Sequence, residues 1–317
     1  MIKKLLIYNS GGGIGDSIQL FPLILSLENL YKESEIYYLG AHDNHYLGKL
    51  KEYNIKVKNL NLGLKYFGFR WWHLFVAKKR FFDLKINKFD LIIDSQSKLR
   101  NTLILKQIPS RAFYSPTYNN FFCKNLEHSA EKFILELKTT KYDIKSIPKK
   151  YFDEASRLLP DKNYIGFSLT QGNVYRKKEW DLSKILKLSE EMVKSNKIPV
   201  FFIEKKYQEL KNKIKNSIPS ALFPEHETKL NSPALVTCLG KRLDFAISID
   251  NGIMHMLSLS KIPMVVLFGP TNSKKFAPIY DDIILLDSKN LKNNTDINSI
   301  SVEDVLRELK LHSSFSY

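Results

Sequence analysis

Residues 250–270, DNGIMHMLSLSKIPMVVLFGP, hold an acidic turn, a helix start and a buried strand closed by Gly-Pro. The preceding FAISI run, Phe245 to Ile249, reads as a strand, so Asp250 stands at its carboxyl end. Asn251 is a capping residue type, and Gly252 lets a ligand approach the backbone closely. The unpaired N–H groups of the helix start, over Asn251, Gly252, Ile253 and Met254, then favour a negative group such as a phosphate. The same letters describe an ordinary strand-to-helix turn with a good cap, and on this string alone both readings stand. Either way, the layout belongs to an α/β domain with a parallel sheet.

The 317-residue chain is 44% hydrophobic, enough for two domains with sizeable cores. Lys and Arg number 49 against 33 Asp and Glu, a formal charge of +16, which points to anionic partners: nucleic acid, phosphorylated sugars or an acidic membrane surface. Part of that excess, in KKLL, KKYFDE and LKNKIKN, belongs to solvated helix faces. Cys123 and Cys238 lie far apart without CxxC spacing, so neither a disulfide framework nor a zinc site is expected. MIKKLLIYNSGGG has too short an apolar run for a signal peptide, and no stretch approaches the roughly 18 apolar residues of a membrane span. A cytoplasmic protein is expected.

Strands are expected at Lys4–Tyr8, Glu35–Leu39, Phe89–Asp94, Tyr164–Ser168, Pro199–Ile203, Phe245–Ile249, Met264–Phe268 and Asp282–Leu286. Helices are expected near 14–25, 182–195, 205–216, 233–242, 253–260 and 302–311. Periodicity fades over 139–163, where Lys, Asp, Pro148 and Pro160 gather, which suits a domain boundary. The expectation is two Rossmann-like doubly wound domains, 1–150 and 151–300, with a ligand cleft between them at the carboxyl ends of their strands. A last segment, 301–317, is expected to pack its helix back across the hinge.

Three further stretches carry chemistry. GGGIGD, residues 11–16, departs from a dinucleotide fingerprint because Asp16 stands where GxGxxG needs glycine, and a carboxylate there repels pyrophosphate. Asp16 is either a helix-start residue stabilised by the dipole or a general base for an acceptor hydroxyl. Pro22, beyond the first turn, is expected to kink this helix. LTQGNVYRKKEW, residues 169–180, offers neutral donors from Thr170 and Gln171 and cations from Arg176, Lys177 and Lys178, suited either to a diphosphate or to a solvated turn. Glu204, ending PVFFI, is a candidate ribose contact or a plain surface carboxylate. KYFGFRWWHLFVAKKRFF, residues 65–82, interleaves rings with cations and admits three readings. These are a membrane-interface segment, a stack for single-stranded nucleic acid, and a helix burying an aromatic face.

GGGIGD with Pro22 behind it, FDLIIDSQSKLRN at 89–101, KKEW at 177–180 and DNGIMHMLSLSKIPMVVLFGPT at 250–271 together resemble the heptosyltransferases, glycosyltransferase family nine, across nearly the whole chain and in the same order. The resemblance implies a GT-B architecture and an inverting mechanism, with no metal and no cofactor beyond the nucleotide-sugar co-substrate. Asp16 matches the base acting on the acceptor, and Lys178 the lysine that neutralises the departing diphosphate. Thr170, Gln171, Asp250 and the 251–255 turn, His255 included, fall on the donor side, whereas Gly13, Gly15 and Arg100 fall on the acceptor side. Glu204 as a donor contact and Arg70 as an acceptor contact are candidates from their residue types alone, since 61–82 matches no family motif. The family usually has Thr or Ser at position 251, and a glycine-rich strand end where Glu204 stands.

The expected function is transfer of a sugar, heptose from an ADP-heptose-type donor, onto a lipopolysaccharide core or related anionic, lipid-linked glycan at the inner face of the cytoplasmic membrane. A different expectation is a non-catalytic nucleotide-sugar or polyanion binding protein on the same scaffold. Nucleic-acid binding is ranked last and no nucleic-acid partner is expected, because the basic aromatic segment is a single loop.

Overall fold

The computed structural model describes residues 2–96, 98–115, 140–168, 170 and 177–311. The chain forms two compact units, Met1–Asp143 and Ile144–Tyr317. In the first, five strands form one parallel sheet in the order β3-β2-β1-β4-β5, with β1 at Lys4–Asn9, β2 at Glu35–Gly40, β3 at Lys58–Asn59, β4 at Phe89–Asp94 and β5 at Ser110–Tyr114. Leu6 of β1 registers with Tyr37 on one side and Ile92 on the other. β1 is central and covered on both faces, which is why its side chains from Leu5 to Tyr8 are apolar without alternation. Strand order reverses between β1 and β4, so their carboxyl ends mark the switch point where such sheets bind ligands.

Pro22 kinks nothing, contrary to expectation. The chain makes two helices, Ile14–Ile18 and Phe21–Leu30, and Pro22 lies in the first turn of the second. A first-turn N–H has no helical acceptor, so proline costs no bond there and its fixed φ favours the turn.

The second unit has another five-stranded parallel sheet, ordered β10-β9-β8-β6-β7. Its strands are β6 (Tyr164–Ser168), β7 (Ile198–Phe201), β8 (Phe245–Ile249), β9 (Met264–Phe268) and β10 (Ile283–Asp287). β6, β8 and β9 are buried along their whole length. The switch point falls between β6 and β8, which pair from Ile165↔Phe245 to Ser168↔Ser248.

The stretch expected to be an irregular boundary contains a helix, Lys149–Leu158, which buries Tyr151 and Ala155 and packs on the Pro233–Gly240 helix. Tyr151, Ala155 and Leu158 of KKYFDEASRL follow the i, i+4, i+7 spacing of one helical face, a signal that the surrounding Lys, Asp and prolines obscure. The units therefore divide before this helix, at Asp143/Ile144, whereas a boundary at 150 would fall inside it. The Val302–Leu311 helix sets Val302, Val305 and Leu309 into the second unit's own core and packs on the Leu182–Lys194 helix. No helix among the described residues is long and apolar enough to cross a membrane.

Candidate active site

At the switch point of the second unit, the loop after β8 meets the loop after β6. Lys178 is buried with its ammonium on the Asp250 carboxylate, and its Nζ also donates to the Asp250 carbonyl at 3.3 Å. The pairing is local to the loops because β6 and β8 are adjacent in the sheet. Lys177 adopts φ +46°, a left-handed conformation costly for a residue with a Cβ, and the chain there leaves Lys177 exposed and Lys178 buried. Trp180 then anchors the KKEW stretch. Its ring is buried in the core, and its Nε1 donates to the Ile300 carbonyl at 3.0 Å.

Asn251 joins the same cluster in two ways. Its Oδ1 accepts from the Met254 N–H at 2.9 Å, capping the Gly252–Ser258 helix, while its Nδ2 donates to Ser168 Oγ at 2.8 Å and to the Thr170 carbonyl at 3.0 Å. Met254, expected to offer its N–H to phosphate, has instead committed it to this cap. The carboxamide explains why Asn serves here: Thr or Ser could cap, but neither has the N–H groups that tie the β6 loop down. His255 and Met254 are buried within the helix, whereas Gly252 and Ile253 are partly exposed. Gln171 lies outside the described residues.

Glu204, three residues beyond β7, does not join this cluster. It is exposed and paired with Lys206 at 3.0 Å. Its nearby charge matters to a residue that sequence reasoning missed. Glu225 is buried, its Oε2 has no hydrogen-bond partner among the described residues, and burial followed by the Glu204 charge raises its pKa to about 7. Nothing in LFPEHE signals this, since the burial comes from elements distant in sequence.

In the first unit, Asp16 sits in the first turn of Ile14–Ile18 and its Oδ2 accepts from the Gly13 N–H at 2.9 Å. The glycines before it are required by space. A Cβ at Gly11 would lie 2.5 Å from Asp16 Cγ, and one at Gly12 would lie 2.7 Å from His42 Cδ2. Gly15 is buried inside the turn, and His45 Nε2 meets the Gly12 carbonyl at 3.0 Å. Beside this loop is an open cavity of about 710 Å³ lined by Gly12, His42, Asn44, His45, Asn59, Asn61, Lys65 and Tyr66, among others. Sequence reasoning missed the AHDNH stretch of this lining, although a polar run directly after a parallel strand is a signal for it.

Arg100 donates from Nε to the Gly68 carbonyl at 3.0 Å and lies over the Phe69 ring, while Arg70 is exposed two residues further on. Gly68 has φ +88°, and a Cβ there would meet the Tyr8 hydroxyl at 2.4 Å. Asp94, at the end of β4, is fully buried and accepts from Thr102 Oγ1 at 2.7 Å, Ser115 Oγ at 2.8 Å and Gln96 Nε2 at 3.1 Å. Burial raises its pKa against those bonds.

Two doubly wound parallel sheets, each with polar loops gathered at its switch point, are the two halves of the GT-B fold class. Glycosyltransferase family 9 (heptosyltransferase) matches residues 116–304, more than half of the chain, and the chain belongs to that family. It is a glycosyltransferase. Lipooligosaccharide heptosyltransferase 2 of Campylobacter jejuni is 25% identical over 285 residues, 84% of this chain and 81% of that protein. Among solved structures, the glycosyl transferase family 9 protein from Veillonella parvula has a TM-score of 0.67 at 17% identity, covering 98% of this chain and 96% of that one. E. coli heptosyltransferase WaaC with ADP has a TM-score of 0.64 at 12% identity, covering 97% and 99%. Similarity at this level of identity concerns the fold.

Proposed function

We propose that the protein moves a heptose from an ADP-heptose-type donor onto a lipopolysaccharide core or related glycan, with inversion at the anomeric carbon and without a metal. The observation that carries this reading is the buried Lys178 at the switch point of the second unit, inside the region that matches the family. A lysine held there by Asp250 supplies fixed positive charge for a departing diphosphate, a stabilisation that strengthens in a site shielded from water. ADP is the nucleotide bound by the similar E. coli enzyme, which favours an adenine donor here.

On the acceptor side, Asp16 takes the proton of the attacking hydroxyl. The oxygen of that hydroxyl bonds to the anomeric carbon from the face opposite the diphosphate, and the bond to the diphosphate oxygen breaks with its electron pair. The carboxamides and imidazoles around the cavity beside Gly12 are the groups that recognise sugar hydroxyls, and Lys65 adds a cation for an acidic substituent. Arg70 and Arg100 belong to the same acceptor side.

The test is a thermal-shift panel of nucleotide diphosphates and their sugars, followed by a transfer assay with the best donor. ADP is expected to stabilise the protein more than UDP or GDP. Stabilisation by UDP alone would overturn the donor assignment.

A further inference from the structure

Five aromatic side chains of the described residues stand more than half in solvent, and all five fall between residues 66 and 82: Tyr66, Trp71, Trp72, Phe75 and Phe82. Phe75 is 81% exposed. They are not a core seeking cover. The His73–Asp83 helix already places His73, Ala77 and Phe81 inside, with Phe81 against Phe89 and His73 stacked on Phe67. Trp72, Phe75, Lys79 and Phe82 follow spacings of three, four and three residues, so they line one outward face of that helix, with Lys78 beside them.

Charge on this face is one-sided. Arg70, Lys78, Lys79, Arg80 and Lys85 are exposed around the rings, and Asp83 is the sole carboxylate between residues 66 and 85. None of these cations has an ion-pair partner among the described residues. Rings with an apolar body, set among unpaired cations, match the two layers of an anionic phospholipid surface: acyl and glycerol groups for the rings, phosphates for the ammonium groups.

We propose that this face docks the protein on an anionic phospholipid surface. Trp71, Trp72, Phe75 and Phe82 enter the headgroup layer, while Lys78, Lys79 and Arg80 stay at the phosphates. Single-stranded nucleic acid fits less well, because stacking successive bases takes rings spaced along a groove, whereas Trp72, Phe75 and Phe82 share the outer side of one helix. Tyr66, exposed in the segment that leads into this helix, also lines the cavity beside Gly12. Resting on the reading of that cavity as the acceptor side, docking sets its rim at the surface that carries a lipid-linked acceptor.

Tryptophan fluorescence tests the proposal directly, because Trp71 and Trp72 are exposed while Trp180 is buried. Vesicles of phosphatidylcholine with phosphatidylglycerol are expected to shift the emission to the blue and to be quenched when brominated lipid is included. Phosphatidylcholine alone is expected to do neither, and added salt to weaken the effect. Trp71→Ser with Phe75→Ser, and separately Lys78→Glu with Lys79→Glu, should each weaken vesicle binding by about tenfold or more. Both variants should retain the far-UV circular dichroism and the ADP thermal shift of the unaltered protein. Three results would overturn the proposal: variants that bind vesicles as the unaltered chain does, binding without a tryptophan shift, or a shift produced by an oligonucleotide and not by vesicles. Vesicle binding by a protein with no ADP thermal shift supports the docking face and counts against the donor reading alone.

Discussion

The Lys178 ammonium is buried on the Asp250 carboxylate, across the two strands between which the second sheet reverses its order. Removing one partner strands a charge away from water, a loss that exceeds anything the pair contributes as a pair. Lys178→Met is expected to cost about 3 kcal/mol in urea unfolding. Adding Asp250→Asn should restore most of that stability. ADP affinity, read by calorimetry, should stay lost in both proteins if Lys178 holds the diphosphate, and recovery in the double variant would remove the lysine from the donor site.

Asn251 separates two tasks that substitution can pull apart. Asn251→Ser keeps a cap on the Met254 N–H but deletes the donors to Ser168 and to the Thr170 carbonyl, a loss of about 1 kcal/mol. Asn251→Ala removes the cap as well, for about another 1 kcal/mol. Hydrogen exchange of the 177–180 segment should rise with the serine variant already, because the tie between the loops is gone.

Asp16 is held by the Gly13 N–H and lies so close to Gly11 that only glycine leaves it room there. Asp16→Asn preserves the shape and removes the base, so transfer should fall by roughly 100- to 10,000-fold while ADP binding is kept. Gly11→Ala tests the same carboxylate without altering it, since the new methyl must displace Asp16. A drop in transfer comparable to Asp16→Asn, with ADP binding intact, is the expected result, and full activity in either variant would remove Asp16 from the chemistry.

Glu225 carries a pH signature. Its pKa is raised from 4.5 to about 7 in the folded protein, so the folded state keeps a proton that the unfolded chain has already lost between those values. Stability therefore falls as pH rises from about 4.5 through 7, by roughly 3 kcal/mol in all. Glu225→Gln should flatten that part of the stability profile and stabilise the protein above pH 7. An unchanged slope in thermal unfolding from pH 5 to 8 would show that Glu225 is not the group responsible.

Much of the strand pattern was legible because central parallel strands are continuous apolar runs that end in polar loops, as Phe245–Ile249 and Met264–Phe268 do. The capped helix start at Asn251 was legible in DNG, since Asn is a capping residue type. Three features were not. The Lys149–Leu158 helix carries Tyr151, Ala155 and Leu158 at helical spacing, but the Lys, Asp and prolines gathered around it read as a boundary. Pro22 depends on where one helix ends and the next begins, two residues apart. The His42 and His45 lining of the cavity depends on which loop lies against the glycines.

Local sequence determined the α/β class, the strand-end loops and the residue types available for anionic chemistry, because apolar runs, glycine turns and caps act over a few residues. Tertiary structure alone decided that Lys178 meets Asp250, that Glu225 is buried beside a second carboxylate, and which rings of residues 66–82 face outward. Those outcomes follow from strand order and burial, and strand order brings together residues as far apart as 178 and 250 that no local pattern relates.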